Sequence, residues 1–142
     1  MQTESIHSLS AESDQETFEQ QTVSPIRILF VDDDDTIREA MVAILAWFGH
    51  ETLSAARGSE AVEKYRSNAV DLVITDNSMP DMKGCELAEK LRVINPEAKI
   101  ILLTGWNNEE KQTSSFINCT LTKPVTMQTV LDTIQNLFPK KK

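Results

Sequence analysis

Three short runs in the chain are almost unbroken in their apolar character: "IRILFV" at 26–31, "DLVIT" at 71–75 and "KIILLT" at 99–104. Uninterrupted Ile, Leu and Val, without in-out alternation, predict parallel strands covered on both faces. Two weaker runs follow the same spacing. "ETLSA" at 51–55 reads as an edge strand, and "NCTLT" at 118–122 as a last strand leading to Lys123. Between them the apolar period lengthens to that of a helix. Ile37, Met41, Ile44, Leu45 and Phe48 share one face, Asp34 or Asp35 can cap it, and Gly49 ends it. "GSEAVEKYRS", "CELAEKLRVI" and "TMQTVLDTIQNLF" supply further amphipathic stretches, the second closed by Asn95-Pro96. Strand then helix, repeated five times, predicts a right-handed, doubly wound α/β domain.

In such a sheet ligands gather outside the carboxyl ends of the strands. The first run ends in Asp32 and Asp33, the third in Asp76, the fourth in Thr104, and the fifth leads to Lys123. The acidic run Asp32–Asp35 is costly by itself: like charges ~4 Å apart repel by about 4 kcal/mol per pair at an effective dielectric of 20. Asp34 and Asp35 have a local explanation as caps or a solvated turn. Asp32, Asp33 and Asp76 together make a hard-oxygen set that a divalent cation would render tolerable. A lysine and a hydroxyl beside it suit the oxygens of a phosphoryl group.

Charge and cysteine content narrow the class. The 142 residues carry a formal charge of -8, of which residues 1–24 contribute -5 with no Lys or Arg. That segment is rich in Ser, Thr, Glu and Gln and reads as a disordered acidic extension. No basic stripe suited to nucleic acid is present; Lys140–Lys142 read as a solvated tail. No signal peptide and no apolar run near the ~20 residues of a membrane span is found, so the cytoplasm is the expected compartment. Cys85 and Cys119 have neither metal-ligand spacing nor a disulfide framework.

The pieces "ILFVDDDDTIR", "DLVITDNSMPDMKG", "KIILLTG" and "LTKPV", in that order, resemble the receiver domain of two-component response regulators over about residues 25–138. The resemblance implies a flavodoxin-like (βα)5 fold with a five-stranded parallel sheet in the order 2-1-3-4-5. It matches Asp76 to the phosphoacceptor, Asp33 to a direct ligand of Mg²⁺ (or Mn²⁺) and Asp32 to a ligand acting mostly through water. Ser78 matches the residue whose backbone carbonyl completes the metal site, Thr104 the switch hydroxyl, and Lys123 the lysine that pairs with acceptor or phosphoryl oxygen. A cis bond between Lys123 and Pro124 is implied, as is a close turn at Gly84. The implied donor is a sensor histidine kinase or a histidine phosphotransfer protein. Catalysis would be limited to the chain's own phosphorylation and dephosphorylation, and the output is a protein contact or homodimer, with no nucleic acid or membrane bound directly.

Some positions depart from the family pattern. Thr120 stands where the family usually has Tyr or Phe, and only 18 residues separate Thr104 from Lys123. The stretch after Thr104 has little apolar period beyond Trp106, Phe116 and Ile117, which predicts a short or poorly formed fourth helix. Two other functions fit parts of the chain. Asp32, Asp34 and Thr36 satisfy the D-x-D-x-T signature of haloacid dehalogenase-type phosphatases, with Asp32 as nucleophile and Asp34 as acid/base, but only Asp132 remains as an acidic residue after Lys123. A receiver-like module that works without phosphorylation is the other.

Overall fold

A computed structural model describes residues 24–105 and 115–139. The described residues fall into two units, Pro25–Val125 and a second that includes Thr126–Pro139. The acidic extension up to residue 23, Trp106, most of the expected fourth helix and Lys140–Lys142 lie outside the described residues.

The first unit holds strands β1 (Arg27–Val31), β2 (Glu51–Ala55), β3 (Leu72–Asp76), β4 (Ile100–Gly105) and β5 (Cys119–Lys123). Helices α1 (Asp35–Trp47), α2 (Gly58–Ser67) and α3 (Gly84–Ile94) connect the first four. All five strands pair in parallel in the order β2-β1-β3-β4-β5. This is the doubly wound sheet the apolar runs predict. The three unbroken runs form the central strands, where nearly every residue is buried, and the two weaker runs form the edges. The correspondence is physical. A strand flanked and covered on both faces exposes no side chain that could profit from being polar.

Alternate strand residues feed two different faces. Leu29, Val31, Val73 and Ile100 pack with Ala61 and Tyr65 of α2 and with Leu87, Ala88 and Leu91 of α3 in one buried cluster. Ile28, Phe30, Ile74, Ile101 and Leu103, also buried, alternate with that set and point the other way. Helix α1 lies beside β1 and β2 and buries Leu45 outside the cluster.

Local signals set the helix ends. Asp34 caps α1, its side chain accepting the N–H of Ile37 at 3.1 Å. At the other end Gly49 adopts a φ of 98°. Its N–H donates to the Ala46 carbonyl and that of His50 to the Leu45 carbonyl, the paired bonds of a Schellman ending. In the second unit α4 (Met127–Leu137) is capped by Thr126, whose hydroxyl accepts the Thr129 N–H at 3.1 Å. Val130, Leu131, Thr133 and Ile134 are its buried residues.

Candidate phosphoacceptor and metal site

Register puts the chemistry at one rim. Val31 is level with Thr75, and Thr75 with Leu102, so the next positions, Asp32 and Asp76, emerge together where β1 and β3 end. Thr104 lies one step beyond the Leu103 partner of Asp76, and Lys123 pairs with Gly105 at the end of β5. Lys123 is two residues past Leu121, which shares the row of Leu103 and Asp76, so it lies on the same face and its long side chain reaches back.

At the rim, carboxylate oxygens of Asp32, Asp33 and Asp76 all lie within 4.8 Å of one another. The Lys123 ammonium sits 2.6 Å from Asp76 Oδ1. The Ser78 N–H donates to Asp76 Oδ2 at 3.3 Å. Ser78 thus touches Asp76 through its amide, a contact with no signal in the sequence. Thr104 is buried beside these groups in the sheet order. The Lys123–Pro124 bond is cis.

The four consecutive aspartates have separate tasks. Asp32 is buried; its Oδ1 accepts the Asp34 N–H at 2.9 Å, while Oδ2 is buried with no hydrogen-bond partner among the described residues. Burial raises the Asp32 carboxyl above its usual range; the Asp34 N–H opposes this, nearby Asp76 and Asp33 add to it, and Lys123 opposes it. Asp33 is exposed and completes the cluster. Asp34 caps α1, and Asp35 pairs with Arg38 one turn along. A buried carboxylate with one unpartnered oxygen, clustered with two more carboxylates, is a donor set that fits a small, hard divalent cation.

The loop after β3 is held by its neighbours. The Asn77 N–H donates to the Leu103 carbonyl, and the Gly84 N–H to that of Asn77. A Cβ on Gly84 would lie 2.8 Å from the Asp76 carbonyl oxygen and also against Leu102. Gly84 starts α3 without a positive φ, so close approach, not the turn conformation expected from sequence, demands glycine here. Two further residues were not legible from sequence. Asp81 accepts the N–H groups of Gly58 and Ser59, both at 2.9 Å, tying this loop to the first turn of α2. Arg38 donates to the Asp32 carbonyl at 2.8 Å. The only sequence signal for Arg38 is its i, i+3 spacing from Asp35; Asp81 has none, because its partners are more than twenty residues away.

The family model described as the response regulator receiver domain matches residues 28–135. The chain belongs to that family. This receiver is 35% identical over 116 residues to the regulatory protein VanRB of Enterococcus faecalis, covering 80% of the chain and 52% of VanRB. It is 27% identical over 120 residues to sporulation initiation phosphotransferase F of Bacillus subtilis, covering 81% of the chain and 95% of that protein. Among solved structures, the response regulator protein TrrA of Thermotoga maritima, in complex with Mg²⁺ and BeF, superposes with a TM-score of 0.73 at 35% identity. That match covers 79% of the chain and 98% of TrrA. Against its longer relatives the chain spans between 14% and 52% of their length. Among the described residues no helix is long and apolar enough to cross a membrane.

Proposed function

We propose that this receiver accepts a phosphoryl group from phosphohistidine onto Asp76, in the cytoplasm, and thereby switches a contact with another protein. The observation that carries the reading is the ion pair between Asp76 and Lys123 inside a three-carboxylate cluster. Asp32, Asp33, Asp76 and the Ser78 carbonyl would hold Mg²⁺, a role supported by the Mg²⁺ in the TrrA complex. Bound there, Mg²⁺ supplies positive charge to the phosphoryl oxygens.

The remaining chemistry falls to the chain. A carboxylate oxygen of Asp76 attacks phosphorus, the bond from phosphorus to the donor's imidazole nitrogen breaks, and an acyl phosphate forms. The transition state is loose and highly charged, so alignment and charge stabilisation are the main contributions. Lys123, held on Asp76 Oδ1, neutralises the acceptor before transfer and a phosphoryl oxygen after it. The Ser78 N–H on Oδ2 restrains carboxylate rotation. Thr104, at the adjacent strand end, supplies the hydroxyl that bonds the new phosphoryl group and biases the loop after it. Hydrolysis of the acyl phosphate resets the acceptor, so catalysis is confined to the chain's own phosphorylation and dephosphorylation. A sensor histidine kinase or histidine phosphotransfer protein is the donor. The similarity to sporulation initiation phosphotransferase F supports a phosphotransfer role.

Intact-mass measurement with acetyl phosphate or a cognate phosphohistidine donor, in the presence of Mg²⁺, tests this. One added phosphoryl group, absent in Asp76→Ala, is the expected result. A label that persists in Asp76→Ala but disappears in Asp32→Asn would overturn it in favour of phosphatase-type chemistry. Partner binding identical for wild type and Asp76→Ala would instead make the domain a phosphorylation-independent module.

A further inference from the structure

Asp32 is fixed on every side but one. Its N–H donates to the Ala55 carbonyl of β2 at 3.1 Å, and its Oδ1 accepts the Asp34 N–H at 2.9 Å. Its carbonyl accepts Nη1 of Arg38 at 2.8 Å. Its Oδ2 is buried without a partner among the described residues. Of these restraints Arg38 is the one made by a side chain from outside the Asp32–Asp34 turn. The same guanidinium reaches Asp35 through Nη2, while the Arg38 N–H donates to the Asp34 carbonyl in the first turn of α1. Its side chain is only 17% exposed. A planar fork of donors is suited to grip a carbonyl and a carboxylate at once.

We propose that Arg38 is a positioning residue for the cation site: it braces the end of β1 against the start of α1, so that the unpartnered Asp32 oxygen stays aimed at the cluster. This rests on the reading of the rim as a divalent-cation site. The Arg38 guanidinium would have two opposed effects on Mg²⁺. Its charge repels the metal, so deleting it should tighten binding by Coulomb's law alone. Its hydrogen bond orients Asp32, so deleting it should weaken binding. Outer-shell groups that orient a ligand are typically worth 10–100-fold in metal affinity. Orientation is the larger effect here, because the Arg38 charge is already engaged by Asp35.

Calorimetric titration with Mg²⁺ separates the two. In Arg38→Ala the dissociation constant is expected to rise about tenfold. Arg38→Lys should fall between that variant and wild type, because a single ammonium cannot hold both partners. Phosphorylation from acetyl phosphate should show the same split: the Mg²⁺ concentration for half-maximal rate rises, and the rate at saturating Mg²⁺ stays near wild type. A merely structural role would lower Tm and leave the Mg²⁺ dissociation constant unchanged, and that result overturns the inference, as does tighter binding. If Arg38→Ala does not fold, Arg38→Lys decides by the same criterion. Wild type that binds no Mg²⁺ overturns the cation reading and this inference together, whereas wild type that binds Mg²⁺ as tightly as both variants do overturns the inference alone.

Discussion

The two ends of the sheet use the same kinds of charged residue to opposite purpose. At the rim where strands begin, polar groups of β1 and β2 are paired. Arg27 pairs with Glu51 at 3.0 Å, the Arg27 N–H donates to Asp71 at 2.9 Å, and the buried His50 accepts the Ile26 N–H on Nδ1 at 3.3 Å. At the rim where strands end, three carboxylates crowd within 4.8 Å, buried oxygens of Asp32 and Asn77 have no partner among the described residues, and Lys123 offsets part of the charge. The first arrangement satisfies the fold. The second leaves electrostatic work undone, and a bound cation and phosphoryl group would complete it. Sites of this kind are where proteins trade stability for function.

The comparison can be broken most directly at the two lysine- or arginine-centred pairs. Lys123→Met should lower the rate of phosphorylation by small donors about a hundredfold or more, the scale seen when one charge-stabilising donor is removed from a reacting centre. Stopped-flow or mass-resolved time courses would show it. A rate within a few-fold of wild type would mean that the Lys123–Asp76 ion pair is ornamental.

A smaller effect is expected from acid at the opposite rim. Burial lowers the pKa of His50 below its ordinary 6.5, so the native state holds this imidazole neutral where the unfolded chain would protonate it. The contribution is therefore full above about pH 6.5 and is lost as pH falls from there through the folded value. Protonation would also put a hydrogen on the nitrogen that accepts the Ile26 N–H. Urea denaturation across this range should give a falling stability for wild type and a flatter profile for His50→Gln. Parallel profiles would remove His50 as the source.

The smallest change should come from Glu51→Gln. The Arg27–Glu51 pair is exposed, with the glutamate side chain 61% accessible, so its loss should cost less than about 1 kcal/mol and leave phosphorylation unchanged. A larger loss would show that the paired rim is more than a solvated surface.

How much of this was legible in advance follows from the range of each interaction. The central strands are plain in "IRILFV", "DLVIT" and "KIILLT", because burial on both faces favours a nearly unbroken apolar run. The end of α1 was plain in Gly49, since few other residues adopt a φ of 98°. The rim residues Asp32, Asp76, Thr104 and Lys123 were legible as a set, because strand ends in a parallel sheet converge whatever lies between them. The sequence allows either Asp34 or Asp35 to cap α1, and the hydrogen bond from Ile37 decides for Asp34.

By itself, then, the sequence determined the elements, their parallel arrangement and the rim at which the acidic groups meet. These depend on periodicity and on short-range backbone rules that every window of the chain carries. The tertiary structure alone decided that Arg38 reaches back to the Asp32 carbonyl, that Asp81 crosses to the first turn of α2, and that Gly84 serves close approach. Those features depend on where a long side chain or a missing Cβ meets a group from another element. No local pattern records such a meeting.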